Sequence, residues 1–165
     1  MTYSIVYSSR TGNTRQLAET IRSTLGLEQL VYYGNANEKA LEADRIYVGF
    51  WTDKGACDSD TADFLKTLQG KEVFLFGTAG FGGAAEYFEK ILQRTQAHLS
   101  EDNRVVGTYM CQGKMPMSVR ERYVNMKAAP AKIPNLDQLI ENFDSALSHP
   151  DEADLAGVAK AVRGE

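Results

Sequence analysis

The chain of 165 residues predicts an α/β fold: a doubly wound, five-stranded parallel sheet of order 2-1-3-4-5 with helices on both faces. Three observations carry that expectation. Strand-like and helix-like segments alternate along the chain, the pattern of right-handed βαβ crossovers. Several strand segments are near-continuous apolar runs, as in Ile46–Phe50 and Val73–Phe76, which suits strands covered by helices on both sides. A hydroxyl-rich loop follows the first strand, and doubly wound sheets bind ligands beyond the carboxyl ends of strands 1, 3 and 4.

Taken in order, Thr2–Tyr7 reads as the first strand and Asn13–Leu25 as an amphipathic helix opening on Arg15-Gln16-Leu17-Ala18-Glu19-Thr20-Ile21. Further strands are expected at Leu27–Tyr32, Arg45–Phe50, Glu72–Phe76 and Arg104–Cys111. Further helices are expected at Ser59–Leu68, Gly83–Leu99 and Leu136–Leu147. In the second of these Tyr87, Ile91 and Leu92 form an apolar stripe at helical spacing, with Phe88 beside it. Gln112–Pro134 is a long connection holding a short helix at Val119–Val124 and closed by the breakers Pro130 and Pro134. Residues 1–148 form one domain on this reading. The tail 149–165 has Leu155, Val158, Ala159 and Val162 at helical spacing and is expected to be a weak surface helix or a frayed end, partly ordered.

Composition narrows the function classes. A net charge of −4 argues against nucleic acid, whose binding domains carry clustered basic surfaces. Mild acidity suits either solubility or docking to a basic patch on a partner. Met1-Thr2-Tyr3-Ser4 runs straight into the first strand, so no signal peptide is expected. No apolar run approaches the roughly eighteen residues a membrane span needs. Cys57 and Cys111 have no metal-ligand spacing and read as free thiols, fitting a cytoplasmic location. Neither His98 nor His149 falls in a candidate site loop.

The most informative segment is Ile5-Val6-Tyr7-Ser8-Ser9-Arg10-Thr11-Gly12-Asn13-Thr14. It places a hydroxyl-rich loop at a helix N-terminus, where unpaired N–H groups and a partial positive charge attract an anion. Ser9, Thr11 and Thr14 add hydroxyl donors, and Gly12 lets the backbone come close. The P-loop is excluded because no Gly-Lys-Ser/Thr follows, and the dinucleotide fingerprint because hydroxyls stand where glycines are needed. The residues instead fill every fixed position of the flavodoxin phosphate-loop signature: Ile5, Val6, Tyr7, Ser9, Gly12, Thr14, Ala18 and Ile21. The chain therefore resembles the flavodoxin family, whose members bind FMN and pass electrons.

That resemblance implies an FMN phosphate held by Ser9, Arg10, Thr11, Gly12, Asn13 and Thr14. It also implies that the flavin ring lies against two further loops. After the third strand comes Trp51-Thr52-Asp53-Lys54-Gly55, with the chain's only tryptophan where the family often has a stacking aromatic. Such stacking would disfavour the anionic reduced flavin and make it a stronger reductant. Gly55 suits a peptide that changes orientation with flavin reduction, although many relatives place Gly-Asp directly after the aromatic. Lys54 either raises the potential or points into solvent. After the fourth strand comes Gly77-Thr78-Ala79-Gly80-Phe81-Gly82-Gly83, whose glycines allow the backbone to lie flat on a planar ligand. Ala85 stands where many relatives have a stacking tyrosine, and Phe81 can replace that ring. The carboxyl end of the last strand could approach the dimethylbenzene edge of the ring or the partner-docking surface.

The implied partners are a reductase or ferredoxin donor and an oxidoreductase acceptor, with a tetrapyrrole reductase (bilirubin reduction in gut anaerobes) as one candidate. A monomer is expected rather than an oligomer. Two alternatives stay open: an NAD(P)H-dependent FMN quinone or metal reductase on the same fold, and a flavin-less interaction module.

Overall fold

A computed structural model of the chain describes residues 1–81, 85–128 and 135–165. Five parallel strands form one sheet: β1 (Tyr3–Tyr7), β2 (Leu30–Gly34), β3 (Arg45–Asp53), β5 (Glu72–Ala79) and β6 (Arg104–Gln112), in the order β2-β1-β3-β5-β6. A two-residue strand β4 (Ala56–Cys57) pairs antiparallel with the end of β3. The parallel strands thus follow the expected 2-1-3-4-5 order. Helices α1 (Asn13–Leu25), α2 (Ser59–Leu65), α3 (Ala85–Gln96), α4 (Met117–Lys127), α5 (Leu136–Ala146) and α6 (Glu152–Arg163) complete the chain.

The parity of the apolar runs divides the core. Ile46, Val48 and Phe50 pack with Val73 and Leu75 against Phe64, Leu65, Leu68, Ile91 and Leu92, the face covered by α2 and α3. Tyr47, Phe74 and Phe76 turn the other way and meet Leu17, Ala18 and Ile21 of α1 and Val158 of α6. Alternate side chains leaving opposite faces of a strand make this two-sided core unavoidable once both faces are covered.

Several boundaries differ from expectation. α1 ends at Gly26 in the left-handed region (φ 82°), and Leu27–Gln29 then turn, so β2 begins at Leu30 rather than Leu27. The strands β3 and β5 run three residues further than expected, because their ladder continues from Phe50–Gly77 to Trp51–Thr78. Trp51-Thr52-Asp53 is therefore strand and not loop; it turns through Lys54 (φ 53°) and Gly55 (φ 83°) into β4. Two consecutive positive φ angles are what a tight two-residue hairpin demands. A 3₁₀ turn at Glu38–Glu42 buries Ala40, whose carbonyl accepts from the Ser4 hydroxyl at 3.0 Å.

The tail is not a weak surface helix. α6 has an Asp151/Asp154 capping box and a left-handed Gly164 at its end. Val158 is fully buried, and the Tyr109 hydroxyl donates to the Asp154 carbonyl at 2.8 Å. Residues 149–165 belong to the same packed unit as the rest. α4 is longer than the expected Val119–Val124 and has no buried residue. Ion pairs tie it to α5: Arg120–Asp144 at 2.8 Å and Lys127–Asp137 at 2.5 Å.

Candidate functional site

Four chain segments converge at the carboxyl end of the sheet around an open cleft of about 250 Å³. Arg10, Thr11 and Asn13 come from the turn between β1 and α1, and Trp51 through Gly55 from the β3–β4 hairpin. Thr78, Ala79, Gly80 and Phe81 come from the end of β5, and Gly113, Lys114, Met115 and Pro116 from the segment after β6. Tyr87 of α3 and Val119 of α4 close the sides. Twelve of the residues singled out in the sequence line this one space. Ser9, Gly12 and Thr14 do not line it, and Gly82 and Gly83 lie outside the described residues.

The turn after β1 presents donors. Gly12 takes φ 87° and precedes α1 without a side-chain cap. Among the described residues, nothing accepts from the backbone N–H groups of Ser9 through Thr14. The Ser9 hydroxyl accepts from the Arg15 N–H at 3.3 Å, leaving its own proton free. A row of unpaired N–H groups at a helix start is the arrangement that holds a phosphate.

Thr14 plays a different part from the one its spacing suggests. Its side chain is fully buried, and its hydroxyl donates to the Phe50 carbonyl at 3.0 Å and lies 3.3 Å from the Thr78 hydroxyl. It ties the first turn of α1 to β3 and β5 under the cleft floor. Its N–H has no acceptor among the described residues.

The segment after β6 is the main feature that sequence reasoning underused. The Lys114 carbonyl accepts from the Asn13 side chain at 2.8 Å and from the Thr11 hydroxyl at 3.3 Å, so it positions two residues of the first turn. Gly113 is required there: a Cβ would meet Asn13 Nδ2 at 2.4 Å. Asn13 is buried, and its Oδ1 has no partner among the described residues. A buried amide oxygen in this state fits a site that receives a donor from a ligand.

The hairpin and the β5 end are each braced from behind. Asp58 is buried; its carboxylate accepts from the Trp51 N–H at 3.3 Å, the Thr61 N–H at 3.2 Å and the Thr61 hydroxyl at 2.9 Å. One side chain thereby closes the hairpin and caps α2. At the tip, Arg94 Nη1 donates to the Gly55 carbonyl at 3.1 Å. The Gly80 carbonyl accepts from Gln112 at 3.0 Å and from Asn142 of α5 at 3.1 Å. Asn142 sits far away in sequence and no local pattern marks it. Trp51 is half-buried, and the Arg10 guanidinium lies 5.4 Å from its ring centroid. Phe81 meets Tyr87 edge-on, with ring centroids 6.5 Å apart.

Both cysteines are free and buried. Burial pushes the Cys57 thiol up to about 11 and raises that of Cys111 as well, which suits inert core thiols and not nucleophiles. Burial likewise raises the Tyr87 hydroxyl, with nearby Arg94 opposing. No described helix is long and apolar enough to cross a membrane.

Comparison with known proteins agrees with this fold. The flavodoxin domain model matches residues 4–163, a span that includes α6. The flavodoxin-like domain-containing protein BilS of Clostridium symbiosum is 42% identical over 94% of this chain and 91% of its own length. BilS of Clostridioides difficile is 31% identical over 92% and 88%. Among solved structures, a Streptococcus pneumonia flavodoxin covers 88% of this chain and 99% of its own, at 20% identity and a TM-score of 0.53. A Lactobacillus acidophilus flavoprotein solved in complex with FMN covers 67% and 93%, at 16% identity and a TM-score of 0.50.

Proposed function

This chain belongs to the flavodoxin family, and on that footing we propose that it binds FMN in the cleft and carries electrons from a reductase or ferredoxin to a partner oxidoreductase. The observation that carries the reading is the convergence of four segments, Trp51 among them, on one cleft that adjoins the turn whose N–H groups from Ser9 to Thr14 are unpaired among the described residues. Those N–H groups and the Ser9 hydroxyl would hold the phosphate. Trp51 and the backbone at Gly80 and Phe81 would hold the ring, and the Lys114 carbonyl keeps Asn13 and Thr11 in place for it. The bound flavin supplies one- and two-electron chemistry, while the chain binds, orients and shields it.

Two features favour a carrier over a catalyst with its own nucleophile: both thiols are buried with raised pKa, and no histidine lines the cleft among the described residues. A tetrapyrrole reductase is one candidate acceptor within this proposal. The test is spectroscopic and kinetic. Purified protein should be yellow, release FMN and not FAD, and be photoreduced in two separable one-electron steps. Rapid NAD(P)H oxidation with quinone and no added reductase would replace the carrier with an enzyme. A protein that stays colourless in excess FMN would leave only the interaction-module reading.

A further inference from the structure

We propose that the mouth of the cleft docks a carboxylate-rich face of a partner redox protein, although the chain itself is acidic; this rests on the carrier reading above. The net charge of −4 suggests the opposite preference, a basic partner. The local charge does not follow the net charge. Arg10, Lys54 and Lys114 line the cleft, and Arg94 reaches it through its bond to the Gly55 carbonyl. All four are exposed.

None of the four pairs with a carboxylate. Lacking a carboxylate partner is not peculiar to these four, since Arg22, Lys39, Lys66 and Lys90 also have none among the described residues; what sets the four apart is that three line one cleft and the fourth bonds to its rim. Segments 82–84 and 129–134 hold no Asp or Glu, so they supply no hidden counter-ion. Asp53 is the one carboxylate lining the cleft among the described residues. A flavin phosphate monoester carries at most two negative charges and would sit at the Ser9–Thr14 end. Four cations exceed what it requires, and Lys54 at the hairpin tip belongs to a different segment.

The rest of the surface has the anatomy of a docking site. Phe81 is 39% exposed in the cleft, whose lining also includes the half-buried Met115 and Pro116. An apolar centre ringed by charge is the usual layout of a protein interface, with the rim setting partner choice and encounter rate. Exposed charges are screened beyond about 10 Å at ordinary ionic strength, so the cations lining the cleft act on a face that closes over its mouth. An anionic partner face is therefore steered onto the apolar centre, bringing its redox group to the mouth.

Two experiments test this, and the first needs no flavin. Trp51 is the chain's only tryptophan and lies in the cleft, so its quenching by iodide and by caesium reports the local field in FMN-free protein. The expected iodide-to-caesium ratio of quenching constants is several-fold above that of N-acetyltryptophanamide, and K54Q/K114Q lowers it toward that reference. A ratio at or below the reference overturns the proposal. The second oxidises the photoreduced, FMN-loaded protein with native cytochrome c and with succinylated cytochrome c, the same haem acceptor with opposite surface charge. The succinylated form should react about tenfold faster at low salt and slow as salt rises. Faster reaction with the native form overturns the proposal, as does co-sedimentation with phosphatidylserine vesicles, which would assign the surface to a membrane. If the chain takes up no FMN, the carrier reading fails while the quenching ratio still decides the sign of the surface.

Discussion

Replacing Thr14 by Val deletes one hydroxyl that solvent does not reach. That hydroxyl donates to the Phe50 carbonyl at 3.0 Å and sits 3.3 Å from the Thr78 hydroxyl, in a side chain with no exposed surface. Val keeps the shape, so the cavity contribution is small and the loss is that of a buried acceptor left without its donor. Such a loss costs about 1–3 kcal/mol. With a urea slope of about 1–3 kcal/mol/M, a mid-range loss lowers the unfolding midpoint by roughly 1 M. Urea denaturation of FMN-free protein, followed by far-UV circular dichroism, reads this directly. The companion variant is Ser9→Ala, whose hydroxyl sits at the surface of the turn and accepts only from the Arg15 N–H. It should barely move the midpoint but weaken FMN binding by about 1–3 kcal/mol. Thr14→Val should show the reverse weighting: a large stability loss and a smaller affinity loss. A Thr14→Val protein as stable as the parent, with FMN affinity lost, would refute the division of labour drawn from these contacts.

Other perturbations follow from the same geometry. Asp58→Ala removes the brace of the hairpin and the cap of α2 together; a loss of about 1–3 kcal/mol is expected, with faster amide exchange at Ala56 and Cys57. Gly113→Ala drives a methyl against Asn13 Nδ2, so FMN affinity should fall with little change in circular dichroism. Val158→Asp places a charge in the fully buried contact between α6 and α1 and should abolish soluble folded protein, whereas a frayed tail would tolerate it. The thiols give a pH test. An unfolded thiol ionises near 9.0 and the Cys57 thiol in the fold near 11, so the stability from keeping it neutral is complete below pH 9. That stability drains away as pH climbs toward 11. Thermal midpoints should fall across that window, and iodoacetamide should label neither cysteine at pH 8 until the protein is denatured. Prompt native-state labelling would contradict the burial argument.

Much of the fold could be read from the residues because its signals are local. The apolar runs of β3 and β5 declare themselves strands, and Leu17, Ala18 and Ile21 declare the buried side of α1. What escaped reading depends on distant partners. β3 and β5 lengthen each other through Trp51–Thr78, so strand continues into stretches rich in Gly, Thr and Asp that look like loops alone. α4 has no buried residue and only a half-buried stripe of Val119, Tyr123 and Met126, too weak to mark its full length; the pairs Arg120–Asp144 and Lys127–Asp137 join it to α5. α6 is rich in alanine, and only its packing on α1 makes Val158 core. The site divides in the same way. Ser9, Gly12, Trp51 and Gly80 can be nominated as FMN contacts from a small window. The Lys114 carbonyl, the Asn142 amide and the Arg94 guanidinium act through the fold, and no spacing announces them. Thr14 was legible as a motif residue, yet its side chain is spent on the sheet.

The most direct measurement is a titration of FMN into FMN-free protein, following flavin fluorescence and Trp51 emission together. The account predicts saturation at one flavin per chain, with both signals quenched and FAD unable to compete. A titration that stays linear, leaving flavin emission at its free-solution value in excess protein, would contradict it.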